Sequence, residues 1–265
     1  MKKALILVAV VSLATLAMQL PTSALPAGTA HYPDMITRAP FSVRLVAGKG
    51  ATSRKLFFGN TIGNIGDGPL ELRAENDPFT GTTNAIQEIY THPTATGQKG
   101  TALVLVSSTI IGTFAFHPAH NHWHMDDFAR YELRSINTDG TTGPVVASTD
   151  KVSFCMIDTD TINSSLPHFG MGRAHSCGQN ARQGVKVGMG DTYSAFLPDQ
   201  FIDITTIADG TYRLVSVADP NNADRPGGRL LETNDANNAA SVDVRVTRTS
   251  VTIVAGTDRT GIDAP

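Results

Sequence analysis

The sequence predicts an all-β protein, a single β-sandwich-like domain with long irregular loops, preceded by an export signal. Three observations predict it. Short runs rich in Val, Ile, Phe, Tyr and Thr recur between clusters of Gly, Asn, Asp and Pro. No segment sustains helical periodicity with caps, except for a short stretch at 85–90. No internal repeat of the kind that marks a propeller or solenoid is visible. The strand-like runs are 42–47, 55–62, 101–107, 128–134, 211–217 and 242–254. Between them, 162–190 carries Gly170, Gly172, Gly178, Gly184, Gly188 and Gly190 and reads as one long loop, and long loops in compact domains tend to be functional.

Residues 1–30 have the parts of a secretory signal: Met1-Lys2-Lys3, an apolar run over 4–18 and a small-residue stretch over 21–30. Cleavage is expected after Ala24 or Ala30, both of which end small-x-small triplets. The apolar run falls short of the roughly 18 to 20 residues that span a bilayer comfortably, and no later run reaches that length. The expectation is a secreted, extracytoplasmic protein without membrane attachment. About 235 residues then remain, enough for one domain with a sizeable core. Residues 31–254 are read as that domain and 255–265 as a flexible polar tail. The net charge of −3 comes with no basic run, which argues against nucleic acid and weakly favours cationic substrates.

The chain has two cysteines, Cys155 and Cys177. In an oxidising compartment an isolated pair is more often bonded than free, so a disulfide is expected. A loop of this length closes with a gain of about 3 kcal/mol by the chain-entropy argument.

Four of the eight histidines fall within the stretch FHPAHNHWHMDDF: His117, His120, His122 and His124. On a strand, residues i, i+2 and i+4 share a face, so His120, His122 and His124 can converge on one ion. His117, three residues before His120, falls on the opposite face of a regular strand and is left out of the ligand set. Three neutral imidazoles suit copper, zinc, nickel or iron, and ligand type does not choose among them. A cupin arrangement fits less well, because His168 and His175 stand more than forty residues from the cluster.

The segment FAFHPAHNHWHMDDFARYEL resembles the copper segment of lysyl oxidases, W-x-W-H-x-C-H-x-H-Y-H-x-M-[DE]-x-F followed by a Y-[DE]-L strand. The resemblance puts His117 at the family's first histidine, which is not a ligand, and His120, His122 and His124 at the three that bind copper. Lys151-Val-Ser-Phe-Cys155 is similar to the family's H-K-A-S-F-C, whose lysine forms half of a lysine tyrosylquinone. Tyr193 stands seven residues before Gln200-Phe-Ile-Asp-Ile-Thr205, the separation of the family's other cofactor half from Q-W-V-D-I-T. Cys155 and Cys177 match a family cysteine pair, and the similarity runs approximately over 55–246. Phe114 and Phe116 stand where the family has tryptophans, Ala119 where it has a cysteine, and the family's final Y-x-C-H segment has no counterpart.

The resemblance implies a copper-dependent amine oxidase with a self-generated lysine tyrosylquinone joining Lys151 and Tyr193. Such an enzyme deaminates primary amines, peptidyl lysine among them, to aldehydes, consuming O2 and releasing H2O2 and ammonia. A base must take a proton from the substrate carbon, and Asp126, Asp127, Asp191 and His175 are the unranked candidates. The Cys155–Cys177 bond would tether the Lys151 segment to the loop leading into Tyr193. Two other functions are set against this one: a secreted copper-binding β-sandwich that forms no quinone, and a zinc hydrolase with three histidines and a water.

Overall fold

The computed structural model describes residues 29–49, 52–91, 103–149, 152–221 and 227–260. Within them, strands β1 (Met35–Thr37), β2 (Phe41–Ala47), β3 (Arg54–Asn64), β4 (Leu70–Asn76), β5 (Thr83–Thr91) and β6 (Val104–His117) come first. Then follow β7 (His122–Met125), β8 (Ala129–Ile136), β9 (Thr142–Ser148), β10 (Asp160–Thr161), β11 (Arg182–Val185) and β12 (Met189–Tyr193). The last are β13 (Phe201–Asp203), β14 (Gly210–Ala218), β15 (Ala239–Val246), β16 (Val251–Ile253) and β17 (Arg259–Thr260). The all-β expectation holds, and the 3-10 turn Asp235–Asn237 is the one helical element whose bounds lie wholly within the described residues. No helix among them is long and apolar enough to cross a membrane.

The strands form three antiparallel sheets. One runs β1-β3-β12-β10, with β2 and β13 also on β3; a second runs β11-β4-β5-β6-β7; a third runs β16-β15-β14-β8-β9, with β17 on β15. All three feed one core. Leu56 and Phe58 of β3, Leu72 of β4, Met125 of β7, Tyr131 of β8 and Val242 of β15 are fully buried in a single cluster, and each such side chain contributes on the order of 1.5–3 kcal/mol.

Residues 85–90, the one stretch with a helical look, lie in β5. The reason is that β5 sits between β4 and β6 and is buried on both faces, so the alternation that marks a strand is lost. Its polar side chains are satisfied locally: Gln87 accepts from Leu231 N at 2.7 Å and donates to Leu231 O at 2.9 Å, and Glu88 pairs with Arg73 and Arg182. The glycine-rich 162–190 stretch is less irregular than expected, since β11 pairs with β4 and β12 begins at Met189. Within 255–260, β17 pairs with β15 and Arg259 bonds Asp243.

An aromatic series leads from the core towards the histidine hairpin. Phe58 meets Tyr131 at 4.9 Å between ring centroids, Tyr131 meets Phe154 at 5.9 Å, and Phe154 meets Tyr193 at 4.8 Å, all edge to face. Rigid rings thus connect the centre of the protein to Tyr193.

Candidate metal centre

β6 and β7 form a hairpin whose register sets His117 opposite His122 and Ala115 opposite His124. Pro118, which has no amide hydrogen to give to a ladder, follows the last residue of β6. The chain reverses over the next residues: His120 N and Asn121 N both donate to His117 O, at 3.1 and 2.9 Å. Asn121 takes the left-handed conformation, φ 56°, which asparagine tolerates.

The histidines therefore converge by a different route from a single strand face. His120 lies in the turn, His122 and His124 share a face of β7, and the reversal folds His117 back among them. His117 stacks on His124 at 4.6 Å and lies 4.5 Å from His120. It thus belongs to the cluster and does not face away as a regular strand would require. His122 is 4.8 Å from His124 and 5.5 Å from His120. His117, His120 and His124 each present a ring nitrogen within 4.8 Å of the others, and His120 Nδ1 faces His124 Nε2 at 3.3 Å.

One further contact orients these rings. His124, 1% exposed, bonds Ser153 Oγ through Nδ1 at 3.1 Å, which turns Nε2 into the cluster. His117 Nδ1 is buried without a hydrogen-bond partner among the described residues. Imidazole nitrogens gathered in this way fit a copper or zinc ion by donor chemistry.

The strand beside the hairpin comes from the cysteine region. Met125 and Phe154 exchange both backbone hydrogen bonds, at 2.8 and 3.0 Å, and Trp123 N donates to Cys177 O at 3.0 Å. The expected Cys155–Cys177 disulfide is formed. Tyr193, at the end of β12, donates its hydroxyl to Cys155 O at 3.0 Å and accepts from Cys155 N at 3.1 Å. Burial pushes the Tyr193 phenol well above the usual tyrosine range, and the charge of Asp191 raises it further.

A cavity of about 340 Å³ joins these parts, lined by His120, His122, Cys155, Asp191 and Tyr193, with Leu197 and Pro198 also on its wall. A larger groove of about 580 Å³, bounded by Arg38, Phe41 and Asp258, shares Thr192 with it but holds no cluster of metal ligands. The histidine and tyrosine candidates line the smaller space. Lys151 lies outside the described residues; Val152 and Ser153, which follow it, touch Phe128 and His124.

The candidate bases separate clearly. His175 is enclosed between Glu71 at 3.3 Å and Asp158 at 3.5 Å, away from the cavity lining. Asp127 is paired with Arg229. Asp126 accepts from Thr113 at 3.4 Å, and burial followed by the neighbouring Asp127 charge raises its pKa. Asp191, 3% exposed, is the carboxylate among the described residues that line the cavity. Ser153 was not singled out in the sequence; its one signal is its position two residues after Lys151.

The chain is thus an all-β protein carrying a histidine hairpin, a candidate metal centre, beside a disulfide-braced tyrosine. The family model for lysyl oxidase matches residues 81–256, and the chain belongs to the lysyl oxidase family. It is 36% identical over 110 residues to lysyl oxidase homolog 3A of Danio rerio, covering 41% of this chain and 13% of that protein. It is 34% identical over 137 residues to protein-lysine 6-oxidase of Homo sapiens, covering 51% of this chain and 28% of that protein. Lysyl oxidase homolog 1 of Homo sapiens is 33% identical over 136 residues, covering 51% and 21% respectively. The match therefore spans less than a third of the length of these relatives.

Proposed function

We propose that the protein is a secreted copper-dependent amine oxidase that deaminates primary amines, lysine side chains of proteins among them. The observation that carries this reading is the single cavity shared by His120, His122, Asp191 and Tyr193. His120, His122 and His124 would hold copper, with His117 packed on His124. Bound copper and the lysine tyrosylquinone of Lys151 and Tyr193 would supply an electrophilic redox centre that oxidises the amine with O2 and water, yielding aldehyde, ammonia and H2O2.

The chain's own groups have definable tasks. Asp191, two residues from Tyr193 on β12, shares its strand face. Its carboxylate would draw a cationic amine into the cavity and accept the proton from the carbon next to the substrate nitrogen. Ser153 would fix the ring of His124 through Nδ1. Leu197 would pack against the substrate's carbon chain, and the disulfide would hold the Cys155 backbone against the Tyr193 hydroxyl. The disulfide also accords with an oxidising, extracytoplasmic location.

One observation favours a second reading, a copper-binding β protein without quinone or catalysis: the Tyr193 hydroxyl donates to Cys155 O and accepts from Cys155 N, as a structural tyrosine does. Redox-cycling stain and amine-dependent peroxide release, measured on copper-loaded protein in air, separate the two. The oxidase reading requires both signals; their absence from folded, copper-loaded protein would leave the binding protein.

A further inference from the structure

We propose that His31, Asp67 and His168 form a second metal site, for a divalent transition ion of the zinc class, sharing no residue with the histidine hairpin. Three segments far apart in sequence supply it: the approach to β1, the turn between β3 and β4, and the loop between β10 and β11. His31 Nδ1 contacts one oxygen of Asp67, and His168 Nδ1 contacts the other at 2.8 Å. The imidazoles meet edge to face, with centroids 5.2 Å apart and planes at 86°. One donor atom from each residue lies within 4.8 Å of the others. Two neutral imidazoles and one carboxylate make an N2O set with a single negative charge, which suits a divalent ion at about 2.0–2.2 Å from each donor and leaves positions for water. Ordinary tetrahedral binding sets donors roughly 3.3 Å apart, so the two Nδ1–carboxylate contacts would open by about an ångström or less to admit the ion.

The backbone is built to hold this convergence. A Cβ at Gly68 would lie 2.2 Å from His31 O, and one at Gly66 would lie 2.4 Å from Asp34 N. Only glycines at these positions let the His31 segment run against the turn that bears Asp67. Gly68 N donates to Tyr32 O and His31 N to Tyr90 O, at 2.9 and 2.8 Å. On the other side, His168 is held left-handed at φ 62°, a cost that a non-glycine residue bears where surrounding structure fixes it. Met171 N bonds His168 O at 2.8 Å, and Gly170 N bonds Val187 O at 2.8 Å. The rings are mostly covered, at 14% and 19% side-chain exposure, while Asp67 at 53% leaves a route for the ion. Filling the site would clamp the start of the domain to the loop that continues through Cys177 to β12.

The test titrates Zn2+ into the metal-stripped full chain, reads bound zinc by metal analysis after dialysis, and follows the melting temperature. The His31→Ala/His168→Ala variant is expected to bind one equivalent fewer than the parent and to lose part of the zinc-induced rise in melting temperature. His120→Ala/His124→Ala is expected to lose a different equivalent and keep that rise. Asp67→Asn retains both rings, guards against misfolding of the double variant, and is expected to weaken the second site at least about tenfold. Equal zinc uptake and affinity in the parent, Asp67→Asn and the His31/His168 variant would overturn the proposal, leaving a hydrogen-bonded His–Asp–His contact. The outcome is independent of whether the hairpin supports oxidase activity.

Discussion

Asp191 shows how much a single side chain's surroundings decide. It was one of four acidic or imidazole candidates in the sequence, and only the fold put it on the cavity wall beside Tyr193. Asp191→Asn is expected to lower amine-dependent peroxide formation by about 10²- to 10⁴-fold at unchanged copper content; wild-type turnover would contradict its role as proton acceptor. Single alanine changes at His120, His122 or His124 are expected to abolish stoichiometric copper uptake, measured by metal analysis, whereas His117→Ala retains an equivalent. Spacing set His117 on the opposite face because the strand-face argument assumes a continuous strand, and Pro118 ends that strand, so the ring instead packs on His120 and His124. His175 lies between Glu71 and Asp158, away from the cavity. Burial lowers its pKa, but hydrogen bonding to Asp158 and Glu71 outweighs this and leaves it raised above 6.5. Lys186 and Arg182 stand on the outer sides of those carboxylates. A raised imidazole pKa in the folded state means that stability is fully present below about pH 6.5 and is lost as pH rises through the folded value. Melting temperature is therefore expected to fall from about pH 6 to pH 9, and to fall less in His175→Gln.

At the scale of elements, the β6/β7 hairpin and the Cys155–Cys177 loop act together. Neither segment alone forms the cavity: the hairpin brings histidines, the loop brings the tyrosine's hydrogen-bond partner, and Trp123 N to Cys177 O joins them. Replacing both cysteines by serine is expected to cost about 3 kcal/mol in denaturant unfolding. It should also slow quinone formation, read by visible absorbance, at normal copper content. Full quinone yield at the normal rate would reduce the disulfide to a staple. β2, β3, β8, β14 and β15 were legible as runs rich in β-branched and aromatic residues between turn-forming clusters. β8 and β14 differ from their expected limits by only one or two residues. β5 was not legible as a strand, because burial on both faces removes the alternation. β11 was hidden within a glycine-rich run, whose backbone freedom serves close approach as readily as looseness.

For the molecule as a whole, three sheets share one core, and the Phe58, Tyr131, Phe154 and Tyr193 rings carry its rigidity to the cavity. The sequence carried the class of fold and the histidine cluster, since these depend on residue type and short spacing, whereas Lys151 and Tyr193 were named through the family resemblance alone. The convergence of His31, Asp67 and His168 left no sequence signal, because three segments spread over the chain must fold before it exists. The central claim is that this fold brings Lys151 and Tyr193 together for covalent union near bound copper. It is tested most directly by intact-mass and peptide analysis of the full chain after copper loading in air. The account predicts that the Lys151 and Tyr193 peptides are recovered as one cross-linked, visibly absorbing species; separate, unmodified peptides from folded, copper-loaded protein would contradict it.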